Sequence, residues 1–115
     1  MLLSQAAPDC QPHTQDFLNQ EHGLLIDGSW VAAVSGEKFE VKNPANGQVI
    51  AMVAEGDQAD VDRAVAAARK AFEGGPWPQM TASQRGKLIW KLADLLEENL
   101  EEFAELESLD NGKPR

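Results

Sequence analysis

The sequence predicts an α/β fold in which short strands come first and amphipathic helices follow. Three features of the 115-residue chain indicate this order. Asp27-Gly28, between Leu24-Leu25-Ile26 and Ser29-Trp30-Val31, is typical of a tight hairpin, because both central residues of such a turn need positive φ. At Gly56-Asp57 the spacing of apolar residues changes from two to about 3.6, the period of a helix. The stretch from Thr81 to Gln84 then reads as a capping box, which marks the start of a further helix.

The strand segments lie before residue 56. Residues 24–26 and 29–31 are expected to form the two arms of the hairpin. In residues 38–42, Phe39 and Val41 alternate with charged side chains, which predicts a half-buried strand. Asparagine, proline and glycine cluster in residues 43–47, so a turn is expected there. Residues 49–54 are apolar at every position, which indicates a strand covered on both faces.

Three helices are expected after the strands. The first begins with Asp57 as its N-cap and ends at Gly74-Gly75-Pro76. The second begins with Thr81, and the third restarts at Asn99 with Glu102 as the partner in its first turn. The apolar side chains that these helices are expected to bury are Val61, Ala64, Val65, Ala68 and Phe72 in the first, Leu88, Leu92, Leu95 and Leu96 in the second, and Leu100, Phe103, Ala104 and Leu106 in the third.

The beginning of the chain has a different character. Residues 1–23 are predicted to form a mobile N-terminal arm, and residues 24–115 to form the folded part. The first residues are polar, contain two prolines and show no apolar period that could be buried. Asp16, Phe17 and Leu18 could start a short amphipathic turn, which Gly23 would end.

Composition limits the possible partners. With 19 Asp and Glu against 10 Lys and Arg, the formal charge is −9. This charge repels the phosphates of nucleic acids and anionic lipids, so neither nucleic acid nor a membrane is expected as a partner. The single cysteine cannot form an intrachain disulfide, and the first residues do not read as a basic or secretory leader, so a cytoplasmic location is expected.

Candidates for catalysis are few. The two histidines, His13 and His22, and the one cysteine do not have metal-ligand spacing, and no glycine-rich loop for a dinucleotide is present. Cys10 follows an aspartate, which disfavours the thiolate, so it is interpreted as a surface thiol. A small hydrolase that uses Cys10 with His13 or His22 is the catalytic alternative. Two larger sets are interpreted as structural, the glutamates as a solvated helix surface and the tryptophans as packing anchors: Glu97, Glu98, Glu101, Glu102, Glu105 and Glu107, and Trp30, Trp77 and Trp90.

The order of motifs from about residue 24 to residue 115 resembles the amino-terminal segment of the NAD(P)-dependent aldehyde dehydrogenase superfamily. No single motif decides the resemblance, but six occur in the family's order with nearly its spacing. They are Ile26-Asp27-Gly28-Ser29-Trp30, residues 43–50 (NPANGQVI), residues 53–56 (VAEG), residues 60–65 (DVDRAV), residues 67–72 (AARKAF) and residues 106–114 (LESLDNGKP). Phe17-Leu18 and residues 22–28 further resemble the phenylacetaldehyde dehydrogenase branch.

The resemblance implies a parent enzyme that oxidises an aldehyde to a carboxylic acid with NAD or NADP, through a cysteine thioester that is hydrolysed with the help of a glutamate. The family's catalytic and cofactor-binding residues all follow the position that matches Arg115, and Cys10 does not match the nucleophile. The implied fold is an incomplete α/β unit, the strand-and-helix layer that packs on the dinucleotide-binding domain. Its implied partners are the remainder of the chain, a small aldehyde and further copies of the enzyme.

One binding site is implied within the segment. Members of the family often hold a structural monovalent cation with an aspartate of the Asp-Asn-Gly-Lys-Pro turn and with backbone carbonyls just before Asn-Pro. The matching residues are Asp110, Val41 and Lys42. A hard cation prefers oxygen ligands, and carbonyl oxygens do not depend on the side chain, so Lys42 is compatible if its ammonium points away. Asp110 as a simple turn residue is the structural alternative.

Two hypotheses for the whole chain follow. The first is an amino-terminal fragment of an aldehyde dehydrogenase that is inactive alone, since residues 109–115 build a turn that leads toward a further element. The second is a stand-alone, non-catalytic binding or scaffold protein that reuses the segment. Three helices and a few strands each need a covering layer that these residues can hardly supply, so the isolated chain is expected to be marginally stable.

Overall fold

The computed structural model describes residues 10–114 and contains both helices and strands, as the sequence predicts. The strands form two antiparallel pairs within this range. The elements in chain order are α1 (Pro12–Leu18), β1 (Leu24–Ile26), β2 (Ser29–Val31), β3 (Lys38–Lys42), β4 (Val49–Ala54), α2 (Gln58–Gly74), α3 (Pro76–Gln79), α4 (Ala82–Glu98) and α5 (Leu100–Asn111).

The predicted hairpin and strands are confirmed. Strands β1 and β2 pair around a turn in which Asp27 and Gly28 have φ of 51° and 76°. Strand β3 pairs with β4 in the register Phe39 to Val53 and Val41 to Ala51. The two pairs are joined where the Ala54 amide donates to the His22 carbonyl at 2.8 Å, beside a parallel bridge from His22 to Val53. Strand β4 carries the most deeply buried strand residues.

The ends of the helices follow local chemistry with one exception. Asp57 and Thr81 cap α2 and α4, each within a reciprocal capping box. The prediction that Asn99 caps α5 is wrong, because its side-chain amide donates to the Leu95 carbonyl of the preceding helix at 2.8 Å. Helix α5 ends at Gly112, which adopts a left-handed conformation with φ of 74°. A short helix, α3, begins at Pro76, where the sequence predicts only the end of α2.

Helix α1 stands where the sequence predicts a mobile arm. Residues 12–18 form a packed helix in which Thr14 and Leu18 are buried. The prediction of a mobile arm is therefore corrected for residues 12–22. The part of the prediction that concerns residues 1–9 lies outside the described residues. The reason is tertiary: α1 is too short to be stable alone, and packing against distant residues stabilises it.

The apolar core is small and lies between α1, β4 and α5. Leu18 and Ala51 form its buried centre, with Cys10, Val41, Leu106 and Leu109 packed around them. Cys10 is therefore partly buried, and its interpretation as a surface thiol is wrong. The core covers one side of the structure only.

The apolar faces of α2 and α4 are exposed, contrary to the burial expected from the sequence. In α2, Val61, Val65 and Phe72 are 52–74% exposed, and the leucine stripe of α4 is 45–57% exposed. The tryptophans expected as packing anchors are likewise open to solvent, with Trp30 and Trp90 more than 70% exposed. Both helices have the predicted amphipathic pattern, but the layer that would cover their apolar faces does not lie within residues 10–114.

Candidate structural site at the carboxyl end of α5

A buried carboxylate of α5 joins this helix to the beginning of α1. Glu105 of α5 is 1% exposed, and its Oε2 accepts hydrogen bonds from the Gln11 amide at 3.0 Å and from the Thr14 hydroxyl. Gln11 is the N-cap of α1, but its own side chain makes no capping bond. In a capping box, a glutamate in the first turn of the helix accepts from the N-cap amide. Glu105 accepts from the N-cap amide of α1 instead, and its carboxylate lies at the positive end of that helix. The interpretation of Glu105 as a solvated residue is wrong.

A second buried carboxylate, Asp60, holds the loop after β2 against α2. It is 2% exposed, both of its oxygens accept from the Val34 amide at 3.1 and 3.2 Å, and its Oδ1 also accepts from the Arg63 guanidinium at 3.3 Å. It also accepts from the Asp57 amide and completes the capping box. Both buried aspartate and glutamate groups therefore position backbone, which is a structural task.

Two of the three predicted cation ligands border one cavity. Val41 and Asp110 both line a cavity of about 360 Å³ between α1, the strand pair β3–β4 and α5. The turn after α5 lies close to the Asn43-Pro44 turn, because a Cβ placed on Gly112 would lie 3.0 Å from Pro44 Cγ. The carboxyl end of α5 therefore lies beside the end of β3, as a site made of these residues requires.

The local geometry of Val41 and Lys42 is compatible with carbonyl ligands. The pairing of β3 with β4 shifts between these two residues, since Val41 pairs with Ala51 and Lys42 with Val49. The extra residue, Ile50, lies on β4, and the regular ladder is interrupted opposite Val41 and Lys42. The Lys42 ammonium is drawn to Glu40, with Nζ 3.2 Å from the carboxylate oxygen. Asp110 is exposed. One carboxylate and two carbonyls are fewer oxygens than a monovalent or divalent hard cation usually takes, so further ligands would have to come from elsewhere.

The described residues do not bring together a catalytic set. No group of three His, Cys, Asp or Glu side chains within residues 10–114 is arranged to hold a metal ion. His13 is exposed on α1, whereas Cys10 packs toward the core and His22 lies at the edge of β4. In the same part of the chain, no helix combines the length and apolar character that crossing a membrane requires.

Comparison with known proteins agrees with the arrangement of the elements. The family model for the aldehyde dehydrogenase family matches residues 30–115. The chain is 58% identical over 90 residues to aldehyde dehydrogenase family 2 member C4 of Arabidopsis thaliana, a match that spans 78% of this chain and 18% of that protein. It is 49% identical over 112 residues to the human mitochondrial aldehyde dehydrogenase, across 96% of this chain and 21% of that protein.

The chain belongs to the aldehyde dehydrogenase family. Its structure superposes on the NAD+ complex of the aldehyde dehydrogenase from Bacillus cereus with a TM-score of 0.87 and 52% identity, over 92% of this chain and 22% of that one. The predicted α/β layer of this fold is thereby confirmed, as is the resemblance that identified it. The chain spans about a fifth of the length of these relatives.

These matches also separate the hypotheses. They support a segment of an NAD-linked oxidoreductase family, and they give no support to a stand-alone binding or scaffold protein. The resemblance to the phenylacetaldehyde dehydrogenase branch stays a prediction. Sequence reasoning missed Glu105 and α1. The available signal was weak, since Thr14 lies four residues before Leu18 and Glu105 four residues before Leu109, a spacing that places each pair on one helix face.

Proposed function

We propose that this chain is the strand-and-helix layer of an aldehyde dehydrogenase that oxidises an aldehyde to a carboxylic acid with NAD+ or NADP+. The single observation that carries the proposal is the 52% identity to the Bacillus cereus enzyme across 92% of the chain. Within this segment the work is structural. Catalytic and cofactor-binding groups would lie in the remainder of the enzyme chain, so the 115 residues alone are expected to be inactive.

The exposed helix faces support a role as a layer. Val61, Val65 and Phe72 of α2 and the leucines of α4 form stripes at helical spacing that stay exposed within residues 10–114. Such stripes normally face a core. The partner that we propose for them is the remainder of the same enzyme chain, with assembly of complete chains into a homo-oligomer.

A chimera tests the proposal. Residues 10–115 would replace the matched segment of the Bacillus cereus enzyme, and NAD+-dependent oxidation of an aldehyde would be measured. We expect kcat within about tenfold of the parent, a change in barrier of about 1.4 kcal/mol. The double variant Leu92→Asp, Leu95→Asp should abolish soluble, active enzyme, because it places charge on a face that must be buried.

A matched graft gives the control. The corresponding segment of the human mitochondrial protein, which is 49% identical to this chain, would be placed in the same acceptor. If that graft is active and the graft of residues 10–115 is inactive or insoluble, the proposed role of this chain is wrong.

We further propose that Asp110 and the carbonyls of Val41 and Lys42 contribute to a structural monovalent cation site in the complete enzyme. The common cavity, the interrupted pairing opposite Val41 and Lys42, and the Lys42–Glu40 ion pair support this site. In the chimera, added KCl or NaCl should raise the melting temperature less for Asp110→Asn than for Asp94→Asn, an exposed aspartate on α4. Equal salt responses of the two variants would contradict the site.

The location of the complete protein is also a proposal. The sequence predicts the cytoplasm, whereas the human relative is named a mitochondrial protein. Fractionation of cells that express the full-length protein would decide between the two, with recovery in the mitochondrial pellet contradicting the cytoplasmic proposal. The identity of the aldehyde substrate and the preference for NAD+ or NADP+ can be determined from the activity of the same full-length protein.

A further inference from the structure

Two asparagines of this chain are each followed by a glycine, Asn46 by Gly47 and Asn111 by Gly112. Glycine has no side chain that would hinder its amide nitrogen from attacking the preceding asparagine side chain, so such pairs are prone to deamidation. Asn43 is followed by a proline, whose nitrogen carries no hydrogen that attack would have to release. The two Asn-Gly pairs are therefore the candidates for a spontaneous modification.

Asn46 lies in the exposed turn between β3 and β4. Gly47 has φ of 73°, and a Cβ placed on it would meet no atom of residues 10–114 within 4 Å, apart from its chain neighbours. The Gly47 amide donates to the Asn43 carbonyl at 2.7 Å, and Asn46 Oδ1 accepts from the Gln48 amide at 2.9 Å. Both bonds are local, so the pair can be released by opening of this turn alone.

Asn111 is more restrained, because it is the last residue of α5. Its side-chain amide donates to the Glu107 carboxylate at 2.8 Å, and the Gly112 amide donates to the Ser108 carbonyl at 3.0 Å. A Cβ placed on Gly112 would lie 3.0 Å from Pro44 Cγ, so there is little space for a ring at this position. Attack at Asn111 would require the last turn of the helix to unwind.

Charge also distinguishes the two pairs. The attacking nitrogen loses its proton and becomes negative, so a nearby carboxylate or the carboxyl end of a helix disfavours the attack. Asn111 has both, since it bonds the carboxylate of Glu107 and ends α5. The hydrogen-bond partners of the Asn46 side chain and of the Gly47 amide are neutral backbone groups.

We propose that Asn46 is a site of spontaneous deamidation that proceeds through a cyclic imide. The Gly47 nitrogen forms a bond to Asn46 Cγ, the bond from Cγ to Nδ2 breaks, and the side-chain nitrogen leaves as ammonia with the proton of the Gly47 amide. Water then opens the imide at either carbonyl and gives aspartate or isoaspartate. Water is the only co-reactant, and the inference goes beyond the proposed function and does not depend on it.

Ageing of the full-length protein tests the proposal. The purified protein would be incubated in mildly alkaline buffer, digested, and analysed by mass spectrometry that locates each modified asparagine and distinguishes isoaspartate from aspartate. We expect Asn46 to deamidate about tenfold faster than Asn111, a difference in barrier of about 1.4 kcal/mol. Asn43 is the internal control and should stay unmodified. The rate at Asn46 should rise with pH, because the attacking amide must lose its proton.

Three results would overturn the proposal. Deamidation of Asn111 at the same rate as Asn46, or faster, would show that the turn does not select the site. Aspartate without isoaspartate at position 46 would exclude the cyclic imide. Asn46 that stays intact in the folded protein, while an unfolded sample is modified there, would show that the turn protects it. None of these measurements uses enzyme activity, so an inactive protein would refute the proposed function and leave this inference standing.

Isoaspartate at position 46 should also loosen the turn. It carries the main chain through the side-chain carbons and adds one backbone atom between Asn43 and Gln48, whose amide and carbonyl are bonded at 2.9 Å. Peptides with isoaspartate and with aspartate separate in chromatography, so hydrogen exchange can be read for both products in one aged sample. We expect faster exchange of the Asn43 amide in the isoaspartate product. Equal exchange in the two products would overturn this consequence.

Discussion

Removal of the Thr14 hydroxyl provides the sharpest test of the buried contact between α1 and α5. Thr14→Val keeps the shape of the side chain but leaves Glu105 with the Gln11 amide as the remaining donor of this pair. Thr14 is 0% exposed and Glu105 is 1% exposed, so water cannot readily replace the hydroxyl. Loss of a hydrogen bond to a buried charged group costs about 1.5–3 kcal/mol.

Because α1 is a seven-residue helix that depends on this contact, the cost should appear as local opening. An opening free energy that falls by this amount raises amide exchange roughly 10- to 100-fold, since about 1.4 kcal/mol corresponds to a factor of ten. The assay is hydrogen exchange of the active chimera, read by mass spectrometry on the peptide that contains the Gln15 and Asn19 amides. Both amides are bonded within α1, at 3.1 and 3.0 Å.

Thr81→Val is the matched control, because Thr81 caps α4 through the Gln84 amide at 3.3 Å and lies far from Glu105 in the fold. It should speed exchange in the first turn of α4 and leave α1 unchanged. If Thr14→Val changes exchange in α1 by less than a factor of about two, then Glu105 does not hold α1 in the way that the structure indicates, and the capping argument is refuted.

Three further outcomes are expected. Gly112→Ala should destabilise the chimera toward urea by about 1–2 kcal/mol for the positive φ alone, and by more than Gly36→Ala, which has the same φ of 74° but open space around it. The hydrogen bond from Lys38, and then its charge, lower the pKa of Glu21. The contribution of this exposed pair to stability is therefore present above the ordinary glutamate pKa and is lost as pH falls through the lowered value. Lys38→Met should return the NMR titration of Glu21 to its ordinary range. The isolated chain should bind a hydrophobic dye and unfold over a broad temperature range, and a sharp, reversible transition with little dye binding would contradict this expectation.

What the sequence could predict depended on the range of the interaction. The β1–β2 turn needs positive φ at two adjacent positions, and Asp27 and Gly28 are residue types that adopt it, so these two residues suffice to predict the turn. The capping boxes at Asp57 and Thr81 are equally local. In contrast, α1 depends on Glu105, which lies 91 residues from Thr14 in the chain, and no pattern within the first 23 residues contains that information. Asn99 shows the same limit at short range, because its side chain bonds the last turn of α4 and not the first turn of α5.

For the candidate site as well, some residues could be predicted from the sequence and others could not. The residues that line the cavity with Asp110 could not be found from spacing, because they come from α1, β4 and α5. The resemblance placed Val41, Lys42 and Asp110 as candidates, and the fold brings Val41 and Asp110 to the border of one cavity. The interrupted pairing opposite Val41 and Lys42 had no sequence signal, since residues 49–54 are uniformly apolar and fit several registers.

The small core and the exposed faces together explain why this segment needs the rest of an enzyme. Of the apolar residues that are buried within residues 10–114, only Leu18 and Ile50 are large, and the others are Ala33, Ala51 and Ala54. Full burial of a large apolar side chain contributes about 1.5–3 kcal/mol. The apolar side chains of α2 and α4 that stay exposed do not make this contribution within residues 10–114. The apolar stripes of α2 and α4 are therefore expected to stabilise a larger unit once they are covered, and in that unit α5 is held against α1 near its middle by Glu105 and lies close to Pro44 at its carboxyl end, where Gly112 follows it.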